Sequence, residues 1–167
     1  MIVRRCAPVA ILITLAMLTA CGGGSAASAP AANSAKAPTA DEVTTTLIGK
    51  IPTVKLVKAY TAADDPNHLL GRPNGYTSKT AFADNRVPAD QVEGSAADDT
   101  TRGGSVEVYA DAAGAKTRMD YIQAIGKASP LFSEYDYVNG GVLVRVSHLL
   151  TPDQATNYEA ATKSLAS

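Results

Sequence analysis

Apolar positions in this chain recur with two periods. Ser105 to Ala110 alternates apolar with polar residues behind Gly103-Gly104, the pattern of a half-buried strand. Val142, Val144 and Val146 form one face of a second strand, with Leu143, Arg145 and Ser147 on the other. Tyr135 and Tyr137 alternate with Glu134 and Asp136, and Asn139-Gly140 is a two-residue turn signal that joins these segments into a hairpin. Gly141 leaves that register open by one residue. Val54–Tyr60 and Thr77–Asp84 read as further strands, with a helix opened by Pro52 as the alternative for the first.

A period near 3.6 appears in three places. Thr151-Pro152-Asp153-Gln154 is a capping box with Pro at the first helical position and an acid in the first turn. Ala155, Tyr158, Thr162 and Leu165 then share one face, which predicts a helix over 152–165. Asp111 caps a helix over 112–127, with Ala115, Met119, Ile122 and Ile125 in one stripe and Pro130 beyond its end. A shorter helix carries Val43, Leu47 and Ile48, starts at Thr39 or Thr44, and stops at Gly49 and Pro52. Residues 87–102 are polar and read as a long surface loop, with mobility a further expectation. The order α-β-β-β-α-β-β-α predicts an α+β two-layer sandwich. Its sheet is largely antiparallel, of about five strands, with helices packed on it. An α/β/α sandwich with helices on both faces is the alternative.

The first forty residues follow other rules. Arg4 and Arg5 precede an apolar run, Ala7–Leu18, of about a dozen residues. A bilayer needs roughly twenty, so the run has the length of a signal peptide and not of a membrane span. Residues 22–40 are mostly Gly, Ala, Ser and Pro, with one charge and almost no apolar bulk, too little to offset the entropy of ordering. They read as a flexible tether reaching roughly 24 Å. The expected organisation is therefore a signal peptide at 1–20, Cys21 and a tether at 21–40, and one domain at 41–167.

Leu18-Thr19-Ala20-Cys21 resembles the lipobox of bacterial lipoproteins. That resemblance implies diacylglyceryl transfer to the Cys21 sulfur and cleavage before it. The chain would then sit on the outer face of the cell membrane, held by its lipid; two acyl chains anchor stably where one does not. Ordinary secretion is the alternative. Cysteine usage agrees with this reading. Cys6 leaves with the signal and Cys21 is acylated, so the mature chain has no thiol for a disulfide, a nucleophile or a metal. Losing Arg4 and Arg5 leaves 13 Lys and Arg against 16 acids, a net charge of −3. A mild, mixed balance offers no surface for nucleic acid.

Catalytic motifs are missing from the sequence. The two histidines, His68 and His148, lack paired-ligand spacing, and no Gly-x-Ser-x-Gly occurs. A calcium loop begun at Asp65 fails, because Leu69 and Leu70 fall where an oxygen ligand and a glycine are needed. No metal and no cofactor is expected. The stretch DDPNHLLGRPNGY, residues 64–76, parses as local structure: Asp65 and Pro66 open a helical turn, Gly71 supplies a left-handed cap, and Pro73-Asn74-Gly75 turns into the next strand. Asp64, Asn67, His68 and Arg72 are left over as candidate ligand-binding residues, against an Asp64–Arg72 ion pair that closes the loop.

Residues 64–79, the GGSVEVYADAAGAKTRMDYIQAI segment and EYDYVNGGVLVRVSHLLTPDQATNYEAA are together similar to small uncharacterised lipoproteins of actinobacteria. The resemblance spans most of the domain. It implies location and shared fold, and assigns no catalytic residue. The function expected from the sequence is a monomeric binding or interaction module in the cell envelope, with an envelope protein or wall component as partner. A small hydrolase using acids with His68 or His148 is the alternative.

Overall fold

The computed structural model describes residues 37–165. The expected signal peptide, Cys21 and most of the tether lie outside the described residues. The observed order is α1 (Ala40–Lys50), β1 (Val54–Ala59), β2 (Ser78–Asp84), β3 (Gly103–Val108), α2 (Ala112–Ala128), β4 (Glu134–Asn139), β5 (Val142–Ser147) and α3 (Pro152–Lys163). The five strands form one sheet in the order β1-β2-β3-β5-β4, and every neighbouring pair is antiparallel. The α+β class, the antiparallel sheet and the element order are as the sequence predicts. Since β3 and β4 both run against β5, they are parallel to each other, and α2 carries the crossover between them.

Each helix begins where its first turn finds acceptors. The Thr39 hydroxyl accepts from the Glu42 amide, and the Glu42 carboxylate accepts from the Thr39 amide. Ala40 is fully buried, so the last residues of the expected tether belong to the helix. Thr151 and Gln154 form the predicted capping box, and Asp111 accepts from the Gly114 amide at 2.8 Å. These bonds satisfy amides that a helix start leaves unpaired.

The valines of the alternating strands decide where the helices go. Val106, Val142, Val144 and Val146 meet Val43 and Leu47 of α1 and Tyr158 and Ala161 of α3 in the main core. Phe82 stacks on Tyr158 there, with ring centroids 5.6 Å apart. Gly104 leaves room for the Phe82 ring: a Cβ at that position would lie 2.4 Å from its Cζ. Leu143 points to the opposite face and joins Tyr76, Tyr109, Ala115 and Ile122 under α2. Thus α1 and α3 cover one face of the sheet and α2 covers part of the other, so the helices lie on both faces, as in the α/β/α alternative, and not in one second layer.

Two local expectations shift. The hairpin turn is Gly140-Gly141, one residue later than Asn139-Gly140, because Asn139 pairs with Val142 in the ladder. Its side-chain amide donates to the carbonyls of Thr162 (2.9 Å) and Leu165 (3.1 Å), closing the end of α3. Gly140 supplies the positive φ (53°) that the first central position of a II′ turn requires. The polar segment 87–102 is better organised than a plain loop. It contains 3-10 turns at Ala89–Val92 and Thr100–Arg102, and Val87 and Val92 reach the main core. The Arg102 guanidinium ties it together by donating to the carbonyls of Val92 and Ser95 and to the Ser95 hydroxyl.

Candidate functional site

On the α2 side of the sheet, strand positions that read as a solvated face in sequence come together as a polar floor. Register aligns Lys79 with Glu107, and Ser105 with Arg145 and then Asp136. Glu107 is fully buried and accepts from Arg145 (3.0 Å), Arg118 (3.1 Å) and the Tyr109 hydroxyl (2.9 Å). Burial opposes its charge, but the arginines and Lys79 outweigh that and hold the carboxyl below its usual range. Arg145 also makes a two-point contact with Glu134, at 2.8 and 2.7 Å.

The loop after β1 is built around Asp65. The expected helical turn at Asp65-Pro66 does not form; residues 62–75 are a series of turns. Asp65 is fully buried and organises them from inside, accepting from the amides of Leu69 (2.8 Å) and Leu70 (3.1 Å), the Tyr76 hydroxyl (2.6 Å) and Lys79 (3.0 Å). Burial would raise its pKa, yet these donors together hold it well below the carboxylate range. Gly71 takes the expected left-handed conformation (φ 75°), as do His68 (53°) and Asn74 (63°).

Two concavities flank this loop. The first is a cleft of about 440 Å³ that crosses the sheet from edge to edge. Its floor is Lys79 of β2, Ser105 of β3, and Arg145 and Ser147 of β5. Tyr60, Asp64 and Asn67 wall it at the β1 edge, Asp98 to Thr101 and His148 at one end, and Leu131, Phe132 and Glu134 at the β4 edge. The second is a groove of about 1000 Å³ between residues 69–77 and the first half of α2, bordered by Arg72 and Tyr121.

The four residues singled out from the sequence are dispersed. Asp64 and Asn67 line the cleft, Asn67 and Arg72 line the groove, and His68 lines neither. The Asp64–Arg72 ion pair is not formed. Asp64 pairs with Lys58 at 3.3 Å and accepts from the Thr61 amide and hydroxyl at 2.6 and 2.8 Å. Asn67 forms the ridge between the concavities. With its side-chain oxygen turned inward it accepts from Lys79 (3.1 Å) and Arg118 (3.2 Å), whereas the reverse orientation would set an amide NH₂ against two cations.

Sequence reading missed Lys79, Ser105, Glu107, Arg145 and Phe132. The signal was present in the two valine strands, where Ser-x-Glu and Arg-x-Ser occupy alternate positions beside a wholly apolar face. Each charge looks solvated until the register pairs it.

The lysine and arginine side chains on the cleft are already matched. Lys79 has Asp65, Arg145 has Glu107 and Glu134, and Lys58 serves both Asp64 and Asp98 (3.5 Å). Asp99 accepts from the amide and hydroxyl of Thr101. Ser105 differs: it is 2% exposed and its hydroxyl has no partner among the described residues. At the β4 edge of the same cleft, Leu131 (75% exposed) and Phe132 (58%) stand on the rim with their apolar surface in water. The arrangement is a rigid hydrogen-bonding floor with an apolar lip. Among the described residues, no three His, Cys, Asp or Glu side chains gather as a metal site would need. No family model, no curated protein and no solved structure matches the chain.

Proposed function

We propose that this protein is a lipid-anchored, extracytoplasmic lipoprotein whose folded domain binds a small polar ligand in the cleft across its sheet. The carrying observation is the partnerless hydroxyl of Ser105 in the same cleft as an exposed Leu131–Phe132 lip. A buried hydroxyl without a hydrogen bond is destabilising, and an exposed Phe beside Leu is apolar surface left in water. One ligand seated in the cleft would cover the lip and, with the Ser105 side chain turned toward it, give that hydroxyl a partner. The cleft volume falls within the range of small-molecule sites.

The anchor rests on Leu18–Cys21 and the low-complexity run after it. No helix among the described residues is long and apolar enough to cross a membrane. On this reading the domain is a monomer held near the membrane, with an envelope protein or wall component as the source of its ligand. Amide-shift mapping of the full chain against a library of small polar molecules tests the binding claim. Saturable shifts should cluster at Ser105, Ser147 and Phe132, and a library that moves none of them contradicts it.

One observation favours hydrolysis as a second reading. His148, Asp98, Asp99 and Glu134 line the same cleft as Ser105. A hydrolase would turn over chromogenic glycoside or ester substrates and lose that turnover in His148→Ala. A binding module would give no turnover with either.

A further inference from the structure

From the pairing of charges in the cleft, and resting on the binding reading above, we infer that its ligand is a short, neutral saccharide. Every carboxylate and every Lys or Arg on the cleft already has a partner: Lys79 with Asp65, Arg145 with Glu107 and Glu134, Asp64 and Asp98 with Lys58, and Asp99 with Thr101. An anionic ligand would have to draw Lys79, Arg145 or Lys58 from its acid and strand that acid, two of these acids being fully buried. A neutral ligand disturbs none of them.

What the cleft leaves unused is uncharged. The Ser105 hydroxyl is buried without a partner among the described residues, with neither its donor nor its acceptor used. Phe132 and Leu131 present apolar surface at the β4 edge, whereas the Tyr60 ring at the β1 edge is already faced by Lys58 and Lys79. A sugar carries hydroxyls around its ring and apolar C–H faces above and below. It can meet a hydroxyl in the floor and an aromatic ring at the rim together.

The direction of the cleft argues against a peptide. A peptide recognised by a sheet pairs its backbone along an edge strand. This cleft runs across the strands, and its floor is made of side chains from β2, β3 and β5. Those are interior strands, each paired on both sides.

The test titrates the isotope-labelled full chain with maltotriose, cellotriose and triacetylchitotriose. Glucosamine, glucuronate and an end-blocked trialanine serve as controls. At least one neutral trisaccharide should give saturable shifts at Ser105, Ser147 and Phe132 and exceed every control. Phe132→Ala and Ser105→Ala, which remove an exposed ring and a partnerless hydroxyl, should each weaken it about tenfold. Arg72→Ala, on the other groove, should leave it unchanged. The inference is overturned if no trisaccharide shifts these amides, or if both cleft variants bind like the parent chain. Shifts from a charged or peptide control alone would overturn the saccharide and keep the binding site. If no probe of any class moves these amides, the saccharide and the binding site fail together.

Discussion

Asp136 shows how far one residue can depart from its sequence neighbourhood. It alternates with tyrosines on an edge strand and reads as solvated. Both of its carboxylate oxygens are buried without a partner, and burial first, then Glu134 and Glu107 nearby, push its pKa up to about 7 against the pull of Arg145 and Arg118. The folded state therefore holds a proton that the unfolded state releases near pH 4. That contribution is complete below the unfolded value and is lost as pH rises toward 7. Asp136→Asn should remove this slope, so its stability gain over the parent should grow by about 2–3 kcal/mol between pH 5 and pH 8. Urea unfolding at the two pH values checks this; a gain independent of pH would show that Asp136 is ionised throughout. Asp65 and Glu107 work in the opposite sense, since their carboxyls are lowered by their donors. The stability they contribute is present above the unfolded carboxylate range and is lost as pH falls through it. Glu107→Gln, which leaves two arginines short of their shared charge, should cost about 3–5 kcal/mol in the same assay.

At the scale of elements, what could be read in the sequence was whatever one segment decides alone. Thr151 with Gln154, Asp111 with Gly114, and the valine alternation of β5 all act within a few residues, and they placed helices and strands correctly. Thr151→Ala should cost about 1 kcal/mol by thermal unfolding, because the Gln154 amide loses its acceptor. What could not be read depended on distant partners. The turn moved by one residue because Asn139 serves the end of α3, 23 positions away. The 64–76 stretch did not open a helix because Asp65 turns inward to Tyr76 and Lys79. Residues 87–102 looked like plain loop because Arg102, an unremarkable basic residue in sequence, pins them from their far end. The floor of the cleft was hidden for the same reason: Lys79, Ser105 and Arg145 are far apart in the chain and become neighbours only through strand register.

The sheet has two unlike faces. One is a continuous core under α1 and α3, and the other is divided between α2 and an open, hydrogen-bonding cleft. A protein needing only stability would cover that second face with apolar side chains; a buried ionic network there is weak support for stability. On the proposed reading, location depends on Cys21. Cys21→Ser should move the protein from the membrane fraction to the soluble fraction in detergent partitioning, and a variant that stayed with the membrane would contradict the lipid anchor. The central claim, that the open face receives a ligand, is tested most directly by a crystal structure of the chain with its tightest-binding saccharide. The account predicts the ligand lying across β2, β3 and β5, with an oxygen about 3 Å from the Ser105 hydroxyl and a ring face on Phe132. A ligand seated instead between Arg72 and Tyr121, with the cleft left to solvent, would contradict it.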